Sequence, residues 1–208
     1  MSINLSKGQK ISLSKKGTTL TNISVGLGWA QRVENYEVKV GGFLGFGGTK
    51  EMRSRKVEVD FDASCILYDE QKQLVDVVYF GQLKSKDGSV IHTGDDRDGG
   101  GSDDDPNEII NVNLSRVPSN VTSIVFVVNS YSGETFRGVP TAFCNVLNSS
   151  SREEIARYNL NTVGDVLGFI TAKVYRHNGE WKFHAIGEPV EGRQKTVKHI
   201  EPQARKFS

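Results

Sequence analysis

The stretch FITAKVYRHNGEWKFHAIG, residues 169–187, decides the fold class. Two runs rich in β-branched and aromatic residues flank Asn178-Gly179, a dipeptide suited to a type I′ turn, and together they predict a β-hairpin. Upstream, SIVFVVNSYSG (123–133) is typical of a strand that is buried on both faces. The segment KVEVDFDASCILYD (56–69) alternates apolar and polar residues instead, which predicts a half-buried strand.

Further strands are predicted along most of the chain, whereas helical periodicity is nearly absent. They are QKISLSK, NISVGLGWA, QLVDVVYFGQL, SVIHTG, EIINVNLSRV, AFCNVLN and EEIARYNL. Many short strands between turn signals favour an all-β fold, a sandwich of two sheets with mostly antiparallel strands. We expect one domain over residues 1–192, with a glycine-rich insertion loop at 40–56 and a basic, frayed tail at 193–208.

The composition excludes several classes of protein. Apolar residues make up 37% and charged residues 25% of the 208, as in an ordinary globular domain. The net charge of +1 is not that of a typical nucleic-acid or membrane binder. The longest fully apolar run, IVFVV at 124–128, is too short to span a bilayer. Cys65 and Cys144 lie in apolar runs, which predicts buried, reduced thiols, and no secretory signal is recognisable, so we expect a cytoplasmic protein.

The charge is distributed unevenly, because one segment collects many acids. The acidic segment GDDRDGGGSDDDPNE (94–108) carries seven acids and one base, a local charge of −6, while the remainder has 25 bases and 18 acids. Such a density of like charge opposes compact folding, so the segment is either a solvated loop or held together by a cation. Ca²⁺ takes roughly six to eight oxygen ligands in loose geometry, and glycines let a short loop wrap around it. Neither register of the EF-hand template fits. Asp60 and Asp62, on one face of the predicted strand, are further candidate ligands.

A catalytic interpretation of the same carboxylates is the alternative. Carboxylates that hold Mg²⁺ or Mn²⁺ could serve a phosphoesterase or a nucleotide-processing enzyme. Mg²⁺ prefers one or two carboxylates with water and phosphate, so the abundance of acids favours Ca²⁺. His92 is the one histidine close to the acidic segment, and a histidine on a strand is more often structural. The chain contains no G-x-S-x-G, P-loop, HExxH or CxxC motif. We therefore expect a protein that is not an enzyme.

These segments together resemble the central signature of the TerD family of tellurium-resistance and stress proteins. The resemblance is carried by SVIHTG, by the acidic segment, by EIINVNLSRVPSNVTSIVFVVNSY and by the flanking matches GLGW, DFDAS, TAFCNVLN, EIARYNL and YRHNGEWKFHAIG. It covers nearly the whole chain, in order. The resemblance implies a β-sandwich that acts in resistance to tellurite, phage and colicins, with no established catalytic activity.

The resemblance also implies a calcium site that holds one or two Ca²⁺ ions. By position, the implied ligands are Asp60, Asp62, Asp95, Asp96, Asp103, Asp104, Asp105 and Glu108. Three departures from the family pattern bear on the number of ions and on the ligand assignment. Ala30 and Ser102 stand where many or several members have Asp, and Pro106-Asn107 looks like an insertion before Glu108.

Our first hypothesis for the mechanism is an interaction module stabilised by metal. Two Ca²⁺ ions would cancel four of the negative charges and order the acidic segment, which can create a partner site. The expected partners are other stress-resistance proteins, including membrane-associated ones; no sequence-specific nucleic acid is expected, and homo-oligomerisation is left open. Phe43, Phe46 and the basic tail are candidate contact surfaces. Tellurite reduction by Cys65 and Cys144 is a third hypothesis, but it requires accessible thiolates.

Overall fold

The computed structural model describes residues 2–15, 18–41, 48–97, 99, 105–160, 165–192 and 196–208. The strands within these ranges are β1 (Ile3–Asn4), β2 (Lys10–Ser12), β3 (Ser14–Lys15), β4 (Thr18–Thr19), β5 (Asn22–Trp29), β6 (Arg32–Val40), β7 (Thr49–Val57), β8 (Phe61–Tyr68), β9 (Leu74–Val78), β10 (Val90–His92), β11 (Glu108–Asn113), β12 (Ser123–Ser130), β13 (Ala142–Asn148), β14 (Glu154–Asn159), β15 (Gly168–His177) and β16 (Glu180–Pro189). One helix, α1 (Val197–Ala204), follows them and leads into a 3-10 turn, Arg205–Phe207.

Twelve of these strands form two six-stranded sheets that pack against each other. The first sheet has the order β1-β14-β13-β5-β11-β10, and the second has the order β2-β16-β15-β12-β8-β9. Within both sheets, all neighbouring strands pair antiparallel except β1 and β14, which are parallel. The predicted all-β sandwich is therefore confirmed.

Apolar side chains from the facing sides of the two sheets form the main core. Ile23 and Ile110 of the first sheet and Phe169 and Phe183 of the second belong to one cluster and are each at most 2% exposed. Burial of such a side chain contributes roughly 1.5–3 kcal/mol, so this interface holds the sheets together. Two aromatic rings close one end of the core, where Phe61 stacks on Phe136 with their centroids 4.1 Å apart.

The hairpin predicted around Asn178-Gly179 is present as β15 and β16. Both turn residues have positive φ, 51° at Asn178 and 79° at Gly179, as a type I′ turn requires. Strand β12 is buried on both faces, as predicted. The dipeptide thus fixes the register of the two strands that continue the second sheet beyond β12.

Strand β8 differs from its prediction, because all eight of its residues are buried rather than one face only. The inner face contributes to the main core, and the outer face carries Ile66 and Tyr68, which lie in a second apolar cluster with Val197 and Ile200 of α1. The half-buried prediction is wrong here because a helix covers the outer face. The strand also begins at Phe61 and not at residue 56.

The expectation of a frayed basic tail is likewise wrong for residues 196–208. Val197, Ile200 and Ala204 recur at helical spacing, and each is at most 2% exposed beneath the second sheet. Tyr68 Oη adds a hydrogen bond of 3.2 Å to the carbonyl of Glu201. Residues 193–195 of the predicted tail lie outside the described residues. Apolar burial, which the basic composition concealed, anchors this helix.

The predicted insertion loop at 40–56 is wrong for its second half, because residues 49–57 form strand β7. This strand pairs with β6 from Arg32↔Val57 to Val40↔Thr49 and builds a two-stranded arm. Among the described residues, the arm pairs with neither six-stranded sheet. The strand escaped prediction because its sequence, TKEMRSRKV, is polar on both faces. Phe43 and Phe46 lie outside the described residues.

Replacement of Ile200 tests whether α1 is part of the folded unit. Ile200 is fully buried, so Ile200→Ala should lower the free energy of unfolding by about 2–5 kcal/mol, the usual cost of truncating a buried isoleucine. Urea denaturation followed by tryptophan fluorescence measures this. Lys198→Ala on the exposed side of the same helix is the matched control and should change stability by less than about 0.5 kcal/mol. A frayed tail would make the two variants indistinguishable.

Candidate metal centre

Three carboxylates meet where β8 begins. Asp60 directly precedes this strand, Asp62 lies on it, and Asp95 belongs to the acidic segment that follows β10. One oxygen from each carboxylate lies within 4.8 Å of the others. Asp62 is only 3% exposed, and the group lines an open cleft of about 200 Å³ together with Phe80 and Tyr131. This group is the candidate metal centre.

The local fold that creates the centre depends on the early end of β9. This strand pairs with β8 only as far as Cys65↔Val78. Beyond that point, the N–H of Ala63 donates to Glu108 Oε2 at 2.6 Å, and its carbonyl lies 3.1 Å from His92 Nε2. Glu108 and His92 both come from the first sheet, so their side chains take the place of the missing strand and join the two sheets at this edge.

His92 is committed to this structural role through both ring nitrogens. The N–H of Gly94 donates to Nδ1 at 3.1 Å, and the carbonyl of Ala63 accepts from Nε2. These contacts fit the tautomer that carries its proton at Nε2, because Nδ1 is then the acceptor. The side chain is fully buried and also lies 3.4 Å from Glu108 Oε2. The sequence-based view of His92 as a structural histidine agrees with these contacts.

Burial and like charge make the centre electrostatically unfavourable for carboxylates alone. Burial raises the pKa of Asp62 to about 8, with further contributions from the charges of Glu108 and Asp60. The pKa of Asp60 is also raised, first by burial and then by Asp95. Oxygen Oδ1 of Asp60 is buried and has no hydrogen-bond partner among the described residues. Clustered carboxylate oxygens, one of them without a donor, are chemically suited to a hard divalent cation.

One cation of the acidic segment, Arg97, lies beside the centre. Arg97 Nε lies 2.9 Å from Asp95 Oδ2, and the Arg97 side chain is 78% exposed. Arg97 also lines the cleft. An exposed ion pair of this kind contributes at most about 1 kcal/mol, so it offsets only a small part of the repulsion among the carboxylates.

The remaining predicted ligands are placed differently. Asp96 accepts hydrogen bonds from the N–H of Gly99 (3.0 Å) and from Asn107 Nδ2 (3.1 Å), so it shapes the acidic segment. Glu108 accepts from Ala63 and from the N–H of Asp96, and acts on the centre through its charge. Asp105 is exposed. Asp103, Asp104 and Ser102 lie outside the described residues.

Two contributors were not identified from the sequence. Asn129 lies opposite Asp62 in the β12–β8 register and donates from Nδ2 to Asp62 Oδ2 at 3.2 Å. Asn107, which looked like part of an insertion, accepts from the N–H of Trp29 at 2.7 Å. Asn129 carried a usable signal, since a polar residue directly after the apolar run IVFVV must find a partner when it is buried.

The Trp29 side chain connects the centre to the acidic segment. Its Nε1 donates to the carbonyl of Val59 at 3.0 Å, one residue before Asp60. Its ring packs against Gly99, where φ is +62° and an added Cβ would come within 2.5 Å of Nε1. Only glycine therefore fits this position. Trp29 thus fixes the chain on both sides of the carboxylates.

The raised pKa of Asp62 predicts a pH dependence of the metal-free protein. In the unfolded chain the pKa is about 3.9, so between about pH 4 and pH 8 the folded state holds a proton that the unfolded chain has released. The free energy of unfolding, measured with urea in the presence of a chelator, should fall as pH rises through this window. Asp62→Asn should remove much of this decline and be more stable than the wild type at pH 8.

Glu70→Gln is the matched control for that experiment, because Glu70 is an exposed acid on the β8–β9 turn. This variant should keep the pH dependence of the wild type. If Asp62→Asn and Glu70→Gln changed the pH dependence equally, burial of charge at Asp62 could not be its cause.

Comparison with known proteins shows the family to which the chain is similar. The chain matches the family model described as the TerD domain over residues 1–198. It is 40% identical over 193 residues to the tellurium resistance protein TerZ of Serratia marcescens, covering 92% of each chain. It is also 40% identical over 200 residues to a stress response protein of Bacillus subtilis (strain 168), covering 90% of this chain and 92% of the other.

A solved structure has a similar fold. It is the crystal structure of a homologue of the telluride resistance protein (TerD) from Streptomyces coelicolor A3(2), with a TM-score of 0.62 and 18% sequence identity. The alignment covers 88% of this chain and 95% of that one. At this level of identity the likeness supports the fold and carries nothing about ligands.

Proposed function

The chain belongs to the TerD family of tellurium-resistance and stress-response proteins, as its motifs predicted, and we propose that it is a calcium-binding, non-enzymatic member. In this proposal a cytoplasmic protein uses its metal centre to stabilise a surface that contacts other stress-resistance proteins. The observation that carries the proposal is the convergence of Asp60, Asp62 and Asp95, with Asp60 Oδ1 buried and without a donor.

The donor set favours calcium over magnesium. Three carboxylates, rather than one or two, converge in an open cleft, and Ca²⁺ accepts many oxygens at irregular positions, whereas Mg²⁺ demands a near-octahedral arrangement and keeps its waters. Bound Ca²⁺ would offset the negative charge of these three carboxylates. Asp60, Asp62 and Asp95 would hold the ion, and Asn129 would orient the Asp62 carboxylate. Whether one or two ions bind stays a prediction.

Calorimetric titration of the chelator-stripped protein with Ca²⁺ tests the centre. We expect saturable binding and a raised melting temperature, because a ligand that binds only the folded state stabilises it by mass action. Asp60→Asn, Asp62→Asn and Asp95→Asn should each weaken binding by about tenfold or more, since each loses a charge-assisted ligand contact of about 1.5–3 kcal/mol. Mg²⁺ should bind more weakly than Ca²⁺.

Two further variants distinguish ligation by the centre from a general effect of changing the charge of the protein. Arg97→Gln removes the cation beside Asp95 and should tighten Ca²⁺ binding by about two- to fivefold, the opposite sign to the aspartate variants. Glu70→Gln should leave binding unchanged. No Ca²⁺ binding, or equal weakening by Glu70→Gln, would refute the assignment of the centre.

A physical path leads from the centre to the arm formed by β6 and β7. Strand β7 ends three residues before Asp60, and β6 begins three residues after Trp29. Trp29 binds Val59 and packs on Gly99, so order in the acidic segment bears directly on the base of the arm. The N–H of Val33 also donates to Gly138 at 3.0 Å, which fixes the base from the other side. A two-stranded hairpin is only marginally stable alone, so its anchoring decides its order.

The arm carries apolar side chains suited to a partner. Val33, Tyr36 and Met52 are 41%, 43% and 65% exposed, on two strands that, within the described residues, pair with no strand besides each other. The β6–β7 register places Val33 and Met52 on one face of the arm and Tyr36 on the other, so each face offers a partner an apolar side chain among charged ones. We assign the contact surface to the arm for two reasons. The tail packs against the second sheet as α1, and Phe43 and Phe46 lie outside the described residues.

A double variant, Tyr36→Ser with Met52→Ser, tests the arm. It should reduce tellurite tolerance in cells that depend on this chain, while Ca²⁺ binding and melting temperature stay at wild-type values. Leu74→Ser with Leu83→Ser is the matched control, because these residues are 46% and 44% exposed away from the arm. Unchanged tolerance in the arm variant, or an equal loss in the control, would remove the arm from the mechanism.

Observations on other groups favour a binding role over catalysis. Both nitrogens of His92 are occupied by the backbone of Gly94 and Ala63, so it is not poised as a base in the cleft. Burial raises the pKa of Cys144 to about 12 and that of Cys65 still further, which opposes thiolate chemistry with tellurite. No helix in the described part of the chain is long and apolar enough to cross a membrane.

A further inference from the structure

A second cleft lies at the opposite end of the first sheet from the metal centre. Its walls come from the start of β5, the turn before β10, the end of β11 and the turn after β13, and it encloses about 300 Å³. Strand β11 runs from Glu108 beside the metal centre to Asn113 at this cleft. Six residues of strand span about 20 Å, so the two sites are independent in space.

The cleft is rich in hydrogen-bond donors and has no carboxylate among its lining residues. Arg116 lines it and forms no ion pair with any described acidic side chain. Lys84 reaches the same place: a Cβ added to Gly88 would lie 3.6 Å from Lys84 Nζ and 3.9 Å from Arg116 Nη2. Two cations therefore converge over Gly88, whose φ of +73° suits glycine.

Neutral donors line the same cleft beside these cations. Ser89 is 2% exposed, and its hydroxyl is buried without a hydrogen-bond partner among the described residues. An unpaired buried hydroxyl lowers the free energy of unfolding by about 1–3 kcal/mol, and a ligand that accepts its hydrogen bond would remove this penalty. Ser24 Oγ donates to Asn111 Oδ1 at 2.7 Å, which directs the amide so that its Nδ2 donor stays available.

We propose that this cleft binds the phosphomonoester of a small hydroxylated molecule, such as a polyol or sugar phosphate. The Arg116 guanidinium, the Lys84 ammonium and the Ser89 hydroxyl match the acceptor oxygens of a phosphate. Asn22, Ser149 and Ser150 line the rest of the cleft and suit hydroxyl groups. No aromatic ring is among the lining residues, so the cleft offers no stacking surface for a nucleobase.

Titration of the metal-free protein with glycerol 3-phosphate, followed by amide NMR shifts, tests this site. Saturable shifts are expected at Gly88, Ser89, Asn111 and Arg116. Arg116→Gln should weaken binding by about tenfold or more, as expected for a charge-assisted hydrogen bond, and Ser89→Ala by about three- to tenfold. Ser89→Ala should fold normally, because its hydroxyl has no protein partner to lose.

Three controls decide the outcome. Arg53→Gln, an exposed arginine on the arm, should change the affinity by less than about twofold, since surface charge alone is screened. Glycerol should not bind, and inorganic phosphate should bind about tenfold more weakly than glycerol 3-phosphate. No saturable shifts at the cleft, equal weakening by Arg53→Gln, or equal affinity for inorganic phosphate would each overturn the proposal. A failure of the calcium proposal would leave this result unaffected, because the titration is carried out on the metal-free protein.

Discussion

The contact of Glu108 and His92 with the backbone of Ala63 is the constraint on which the candidate metal centre depends. It satisfies a backbone N–H and a carbonyl that β9 leaves unpaired, and it ties the edges of the two sheets together. Unpaired backbone groups are costly in a protein interior, so the contact stabilises the sandwich. The same contact buries a carboxylate at 1% exposure next to Asp62. The fold thus gains its edge closure by placing a further carboxylate beside Asp60 and Asp62, and this carboxylate helps to raise the pKa of both.

This arrangement explains why the pKa values of Asp60 and Asp62 are shifted although Glu108 beside them is held firmly in place. Glu108 accepts backbone hydrogen bonds on both oxygens, from Ala63 and from Asp96, and is thereby held in place. Asp60 and Asp62 have fewer donors, and burial raises the pKa of both. A cation would therefore act on the less satisfied pair. Trp29 lies between this pair and the arm, because it bonds to Val59 in the segment between β7 and Asp60.

The sequence predicted the sandwich, and it singled out the three acids that meet at the candidate centre among eight candidates, because both leave strong local patterns. The Asn178-Gly179 turn and the apolar run of β12 follow directly from backbone preferences and burial. Strand β7 left no such pattern, since it is polar on both faces. Helix α1 did leave one, in the spacing of Val197, Ile200 and Ala204, but basic residues and Pro202 concealed it.

Roles within the acidic segment were not predictable from spacing alone. Asp95 and Asp96 are adjacent and chemically identical, yet of the two only Asp95 groups with Asp60 and Asp62. Asp96 instead accepts from Gly99 and Asn107, which are its local neighbours. A short loop must satisfy its own backbone donors, and Asp is a preferred acceptor for that purpose. Which of two neighbouring acids does so depends on the path of the chain, which is fixed by distant contacts such as that of Trp29.

The near-neutral net charge conceals a separation of charge along β11. One end of this strand meets the buried carboxylates, and the other meets Arg116 and Lys84. At physiological salt the Debye length is about 8 Å, well below the roughly 20 Å between the two ends, so neither group neutralises the other. Each cleft therefore keeps its own field, negative at one end of β11 and positive at the other. A rigid antiparallel strand, paired along its length with β5, is what holds the two apart.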